Sequence, residues 1–245
     1  MKYIITGTGR CGTLYVARLL TSLGFPCTHE GFFAVEDDPS EALSRALNRV
    51  RHNRFVVSEI SKQDKEGDWY DFEKYPRPIA DASYMAAPFL LHEELEEVKV
   101  VHLVRHPVKV IFSFLRFGYF GELNLSKHFK WENHIHHYLP DAYESNDPVE
   151  NACMFYLGWN EMIEKRQSNY FFHRIEDGDG PLLEHLGIDP TEDMYSNKKC
   201  NTNNAREIFG KTWGDIPDSG IKSTLLEIAK RYGYGECGQG FASFL

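Results

Sequence analysis

Between the β-branched run Tyr3-Ile4-Ile5 and an apolar-periodic stretch that begins at Leu14, the chain reads Thr6-Gly7-Thr8-Gly9-Arg10-Cys11-Gly12-Thr13. A strand that turns through glycines into a helix aims several backbone N–H groups at one point, and the helix dipole adds partial positive charge there. Such a turn needs a buried strand behind it and a helix in front, which commits the start of the chain to an α/β layer. It also predicts a site for a phosphate-like anion at that bend.

The nucleotide-hydrolase form of this turn is G-x-x-x-x-G-K-[ST], whose Lys reaches the β/γ-phosphates and whose hydroxyl holds Mg²⁺. Gly7 and Gly12 have that spacing, but Thr13 stands in the Lys position and the only cation is Arg10. An ATP·Mg²⁺ loop is disfavoured. A second segment has the same strand-to-helix form. Val98 to Val104 is a β-branched run suited to a buried strand, and after Arg105-His106-Pro107 the residues Val108, Ile111, Phe112 and Leu115 recur at helical spacing. Pro107 suits a first helical turn. Arg105 is thereby placed at the carboxyl end of a parallel strand, where open α/β sheets bind ligands, and Ser113 falls two turns into the next helix.

Arg10-Cys11-Gly12-Thr13 resembles the Lys/Arg-x-Gly-Thr loop of sulfotransferases that use 3′-phosphoadenosine-5′-phosphosulfate (PAPS), and Arg105 followed by Ser113 is similar to the 3′-phosphate site of the same family. The two segments lie about ninety residues apart, in the family's order. A third resemblance, residues 151–188, holds a helical stripe with Trp159-Asn160-Glu161, the strand Tyr170-Phe171-Phe172 and the tetrad Arg174-Ile175-Glu176-Asp177; it bears on the fold rather than the site. The resemblance implies PAPS as donor, PAP as product and no metal. It implies that Gly9, Arg10, Cys11, Gly12, Thr13 and Leu14 hold the 5′-phosphosulfate, and that Arg105 and Ser113 hold the 3′-phosphate. Lys198 and Arg206, in a late segment rich in cations and amides, are candidates for closing over the nucleotide.

Sulfuryl transfer needs fixed positive charge at the transferring group and a base for the acceptor proton. Arg10 is the candidate for the charge. For the base, His29-Glu30-Gly31-Phe32-Phe33 is similar to the Lys-Glu-x-x-Phe-Phe segment of glycan-type sulfotransferases, with His in place of Lys and one residue fewer. Glu30 is the first candidate and His29 the alternative, since an ordinary imidazole titrates near neutrality. Asp81, in a segment similar to the family's Lys-Ser-Pro-Ala-Tyr, reads as the cap of a helix starting near Ser83 or as a second base. Cys11 reads as a small filler or a low-pKa thiol. Tyr15 frames the nucleotide or packs in the core. A small-molecule or carbohydrate acceptor is expected, a phosphate-transferring kinase or a non-catalytic nucleotide-binding module being the alternatives.

At 245 residues, with 42% hydrophobic and 26% charged side chains, the chain fits one soluble domain. A net charge of −9 disfavours a nucleic-acid partner. The first strand begins at Lys2 or Tyr3 and no apolar run nears the roughly 18 residues a membrane helix needs, so neither signal peptide nor span is expected and the location is cytoplasmic. The cysteines at 11, 27, 153, 200 and 237 show no C-x-x-C spacing, which argues against a disulfide framework or zinc site. Oligomeric state is not legible. The elements expected are strands 3–6, 55–60, 78–81, 98–104 and 170–174 and helices 14–23, 40–52, 84–96, 107–117, 148–166, 180–187 and 218–232. An irregular acceptor-side insertion spans 117–147, and its His134-x-His136-His137 reads as solvated or sugar-stacking rather than metal-binding. The fold class expected is α/β, a mostly parallel sheet of four or five strands with helices on both faces, and the resemblance implies the P-loop-like sulfotransferase type.

Overall fold

The structure is a computed structural model that describes residues 1–56, 70–71, 73–122, 126, 128–189, 210–217 and 220–235. Its centre is β1, Tyr3–Gly7, every residue of which is buried. Burial on both faces explains the unbroken apolar run, as expected of a parallel strand. Ile4 packs into one face with Val100 and Val104, whereas Tyr3 and Ile5 pack into the other with Val101 and Leu103. Four further strands, β2 (Cys27–His29), β3 (Ala80–Ala82), β4 (Lys99–Val104) and β5 (Tyr170–Arg174), complete the sheet. The order is β2-β3-β1-β4-β5 and all pairings are parallel.

Helices cover both faces. On the Tyr3/Ile5 side lie α1 (Thr13–Ser22) and, after β5, a helix Gly180–Leu186, through Val16, Leu20, Leu182 and Leu183. The Ile4 side holds α2 (Ala42–His52), α3 (Pro107–Arg116), α4 (Phe129–Tyr138) and α5 (Pro148–Glu164), with Trp159 of α5 fully buried. The helix Gly180–Leu186 is α6, and α7 (Gly220–Arg231) joins the Ile4 side through Leu225 and Ile228. No described helix is long and apolar enough to cross a membrane.

Three points differ from expectation. The edge strand Cys27–His29 was not expected; of the strand expected over 55–60, residues 55–56 are irregular and 57–60 lie outside the described residues. A helix over 84–96 is replaced by two short 3₁₀ turns, Tyr84–Phe89 and Glu93–Leu95. Pro88 lacks an N–H and its ring blocks the carbonyl four residues back, and that carbonyl, Tyr84 O, accepts instead from Trp159 Nε1 at 3.0 Å. The stretch 117–147 is less irregular than expected, because α4 lies within it. Its inward face carries Glu132 and His134 beside Ile135, so polar residues hide the apolar stripe.

Arg166, just past α5, is buried and has backbone carbonyls as its partners. It donates to Leu90 O (3.0 Å), Leu95 O (2.9 Å), Val98 O (3.2 Å) and Ser168 O (3.1 Å), and also to Glu96 O. Removing it leaves buried acceptors unpaired, at about 1–3 kcal/mol for a buried polar group that loses its partner. Arg166→Met is expected to lower the thermal midpoint by roughly 10 °C, since about 1 kcal/mol moves a chain of this size by 2–4 °C. A midpoint within about 2 °C of wild type would show the clasp to be energetically idle.

Candidate active site

In this strand order the chain leaves β1 toward β2 and leaves β4 toward β5, so the connections diverge between β1 and β4. Open parallel sheets place ligands at the carboxyl ends of such a pair. Gly7, at the carboxyl end of β1, has no room for a side chain: a Cβ there would lie 2.2 Å from Leu103 O and 2.5 Å from Cys11 Sγ. Beyond it the backbone turns through Gly9 (φ +68°), Arg10 (φ +53°) and Gly12 (φ +101°), and Gly12 caps α1. Alternation of left-handed residues in a turn makes a concavity of N–H groups, an anion nest. Gly9 is also pressed by aromatic rings, a Cβ there meeting Phe114 at 3.1 Å and Tyr84 at 3.2 Å.

Arg10, Arg105 and Ser113 come together at this point. Arg10 Nε donates to Ser113 Oγ at 3.0 Å, and Arg105 Nη1 donates to the Arg10 carbonyl at 3.0 Å. Phe117 lies against the Arg10 guanidinium, 4.3 Å from ring centroid to Cζ. The Arg105 bend is itself held, its carbonyl by Tyr156 OH (3.0 Å) and the His106 N–H by Glu176 Oε1 (3.2 Å). Among the described residues neither Arg10 nor Arg105 pairs with a carboxylate. Enclosure lowers the Arg10 pKa more than nearby Tyr119 raises it, and Arg105 pushes the same way as enclosure; a guanidinium stays cationic at neutrality all the same. Two neighbouring cations without a counter-charge form a site that an anion would relieve.

On the other side of the turn, Thr13 Oγ1 and His29 Nε2 are 3.3 Å apart, and His29 Nε2 lies 4.0 Å from Glu30 Oε1. His29 and Glu30 are both buried. Burial, with Arg18 adding, drives the His29 pKa down to about 3, so the imidazole is neutral and a weak base. Burial, with Asp81 adding, drives Glu30 up to about 8. A carboxyl of that pKa has the basicity that proton abstraction near neutrality needs. Tyr84 and Tyr119 sit near enough to Arg10 and Glu30 to exchange electrostatic influence with both.

Asp81 corrects its expected role as a helix cap. Ser83 caps the following turn, its side chain accepting from Met85 N at 3.2 Å, while the Asp81 carboxylate reaches back to Thr28, Gly31, Phe32 and Phe33. Cys11 is buried and its thiol is pushed up to about 12 by burial, so it is a packing residue and not a low-pKa nucleophile. Leu14, in the first turn of α1, is half-buried. Tyr15 OH donates to Asp179 Oδ2 at 2.5 Å, tying α1 to the start of α6. His134 is buried against Phe89 and Tyr138, whereas His136 and His137 are exposed. Lys198 and Arg206 lie outside the described residues. Tyr84 ends the segment similar to the family's Lys-Ser-Pro-Ala-Tyr, whereas Phe117 and Tyr119 were not legible individually as site residues; their one available signal was the density of aromatics after α3.

No protein-family model matches the chain, and no curated protein matches it in sequence. Among solved structures, the sulfotransferase domain of the Synechococcus PCC 7002 olefin synthase is similar to 97% of this chain over 95% of its own length, at 17% identity and a TM-score of 0.48.

Proposed function

We propose that this chain is a sulfotransferase that moves a sulfuryl group from PAPS to a hydroxyl or amine of a small-molecule or carbohydrate acceptor. The observation that carries the reading is the pairing of Arg10 with Arg105 beside the glycine turn, without a carboxylate between them among the described residues. One such cation is a common strand-end feature. Two, joined through a backbone carbonyl and a serine at the sheet's switch point, suit a ligand with two separated anionic groups. The chemistry of the donor set fits: the turn's N–H groups and Arg10 match a phosphosulfate, and Arg105 with Ser113 matches a second phosphate.

The donor, when bound, supplies a sulfuryl group already activated on a phosphate leaving group. The residues of this chain do the rest. Arg10 and the N–H groups from Gly9 to Thr13 would offset the negative charge that grows on the bridging oxygen as its bond to sulfur breaks. Glu30, ionised, takes the proton from the acceptor atom as that atom bonds to sulfur. Neutral His29, its Nε2 3.3 Å from Thr13 Oγ1 and 4.0 Å from Glu30 Oε1, packs beside the carboxyl at the turn. Tyr84, Phe117 and Tyr119 wall the corner with aromatic surface, which suits a flat or sugar-like acceptor.

Calorimetric titration with PAP and with ATP·Mg²⁺ tests the nucleotide reading: PAP is expected to bind and ATP·Mg²⁺ to bind at least tenfold more weakly, whereas preference for ATP·Mg²⁺ would favour a kinase. Arg105→Ala is expected to weaken PAP by about 10- to 100-fold, the worth of hydrogen bonds to a charged group. Transfer of labelled sulfate from PAPS to a panel of phenols, monosaccharides and amines tests catalysis. PAP binding with no transfer to any of them would leave a nucleotide-binding module.

A further inference from the structure

The turn that carries Glu30 has an unusual anchor. β2 ends at His29, and over the next four residues the chain folds back across the end of β3. Glu30 lies in the left-handed region at φ +52°, a conformation that L-residues with a β-carbon avoid. The N–H groups after it are buried and converge on one side chain of β3. Asp81 Oδ1 accepts from Gly31 N (2.8 Å) and Thr28 Oγ1 (2.7 Å), while Oδ2 accepts from Phe32 N (3.2 Å) and Phe33 N (3.1 Å). Asp81 is wholly buried. The turn is packed as closely as it is bonded, since a Cβ on Gly31 would lie 2.7 Å from Thr28 Cβ.

Closing a turn does not require a buried carboxylate, which is among the most costly groups to take out of water. Three consecutive N–H groups and a hydroxyl are the number and kind of donors that hold such a group in place. We propose that Asp81 is a positioning residue: its carboxylate gathers residues 28–33 into a turn that forces Glu30 into the left-handed region and sets its carboxyl beside His29, whose imidazole faces Thr13 of the anion loop. What Glu30 does there rests on the sulfotransferase reading; how it is held does not.

Asp81 is also felt at Glu30 electrostatically, as the second cause after burial of the raised Glu30 pKa. The other groups that face Glu30 are His29 on its own turn (4.0 Å), Tyr84 from the segment after β3, Tyr119 from the segment after α3, and, through Tyr84 and Tyr119, Arg10 of the glycine turn. Burial raises the Asp81 carboxyl above the ordinary carboxylate range, more than its bonds to Gly31, Thr28, Phe33 and Phe32 lower it; once ionised it is the anionic neighbour of Glu30 in this set, His29 being neutral.

The test uses Asp81→Asn in the full chain, with two readouts that need no ligand. In ¹³C NMR of the side-chain carboxyls, the Glu30 titration midpoint is expected to fall by about 1 pH unit as the neighbouring charge is removed. Amide exchange at Gly31, Phe32 and Phe33 is expected to quicken by about tenfold or more. Faster exchange with an unmoved midpoint would mark a purely structural prop and overturn the proposal. With ligands, PAP affinity should stay within about threefold of wild type while transfer falls by about 10- to 100-fold, the effect of a misplaced reacting group. An unchanged midpoint with unchanged exchange overturns the proposal. If Asp81→Asn fails to fold, Thr28→Val removes one donor and keeps the charge: faster exchange at 31–33 with reduced transfer supports the proposal, and exchange identical to wild type overturns it. A wild-type chain that binds no PAP would sink the sulfotransferase reading, while the midpoint and exchange data would still decide the role of Asp81.

Discussion

Replacing Glu30 by glutamine is expected to reduce sulfate transfer by about 10²- to 10⁴-fold, the usual worth of a general base, while leaving PAP affinity within about threefold of wild type. The amide keeps the shape of the side chain and removes its ability to take a proton. The pH dependence follows from the same group. With Glu30 raised to about 8, wild-type kcat/KM should climb about tenfold per unit as pH rises toward 8 and then level off. The variant's residual rate should lack that limb. Stability moves the opposite way. The folded carboxyl holds its proton up to about pH 8, whereas the unfolded one loses it near 4.5. Folding therefore binds a proton across that window, and wild-type stability falls as pH rises from about 4.5 to 8. A shift of this size sets an upper bound of about 5 kcal/mol. Glu30→Gln has no such term, so its thermal midpoint should exceed that of wild type by a margin that grows from pH 5 to pH 8 and reaches roughly 5–10 °C. A variant that is slow but no more stable at pH 8 would mean that Glu30 is solvated and already ionised; one that transfers at the wild-type rate would remove it as the base.

Arg10→Ala is expected to lower kcat by about 100- to 1000-fold, as when one donor aimed at developing charge is removed. The substitution is a clean probe for two reasons. Arg10 and an alanine in its place both carry a β-carbon in the left-handed region, so the backbone strain at φ +53° is unchanged. Arg105 bonds to the Arg10 carbonyl rather than to its side chain, so that contact survives. What disappears is the guanidinium, with its hydrogen bond to Ser113 and its contact with Phe117. The loss should fall mainly on kcat, with PAP affinity reduced by no more than about tenfold. Arg10→Lys, which keeps the charge but lacks the planar fork, should land between the two. If Arg10→Ala weakened PAP binding as much as it slowed transfer, Arg10 would be a ground-state anchor and the transition-state role would be wrong.

The parts of the site written into local sequence were legible. A glycine turn between a β-branched run and an apolar period announces its own geometry, and Arg105-His106-Pro107 marks the end of β4 and the start of α3 through the preference of proline for a first helical turn. What was hidden depends on distant partners. β2 has three residues, too few for any alternation to register, and exists because it pairs with β3. Asp81 looks like a helix cap on its own strand, since its real partners lie 48 to 53 residues earlier. The wall formed by Phe117 and Tyr119 depends on Glu132 of α4, which accepts from the Phe120 N–H at 2.6 Å and holds that residue at φ +66°. A buried glutamate in the middle of a histidine-rich stretch reads as solvated loop until the N–H it serves is known.

The clasp made by Arg166 bears on the order in which the chain can settle during synthesis. The segment from Leu90 to Val98 links β3 to β4 across the middle of the sheet, and its carbonyls are gathered by an arginine that emerges from the ribosome about seventy residues later. A nascent chain halted before that arginine has β1 to β4 in hand but lacks the guanidinium that pairs the carbonyls of the link between the last two. Domains that fold as units wait for such late-arriving pieces, and here the wait ends only with the emergence of α5 and the turn beyond it.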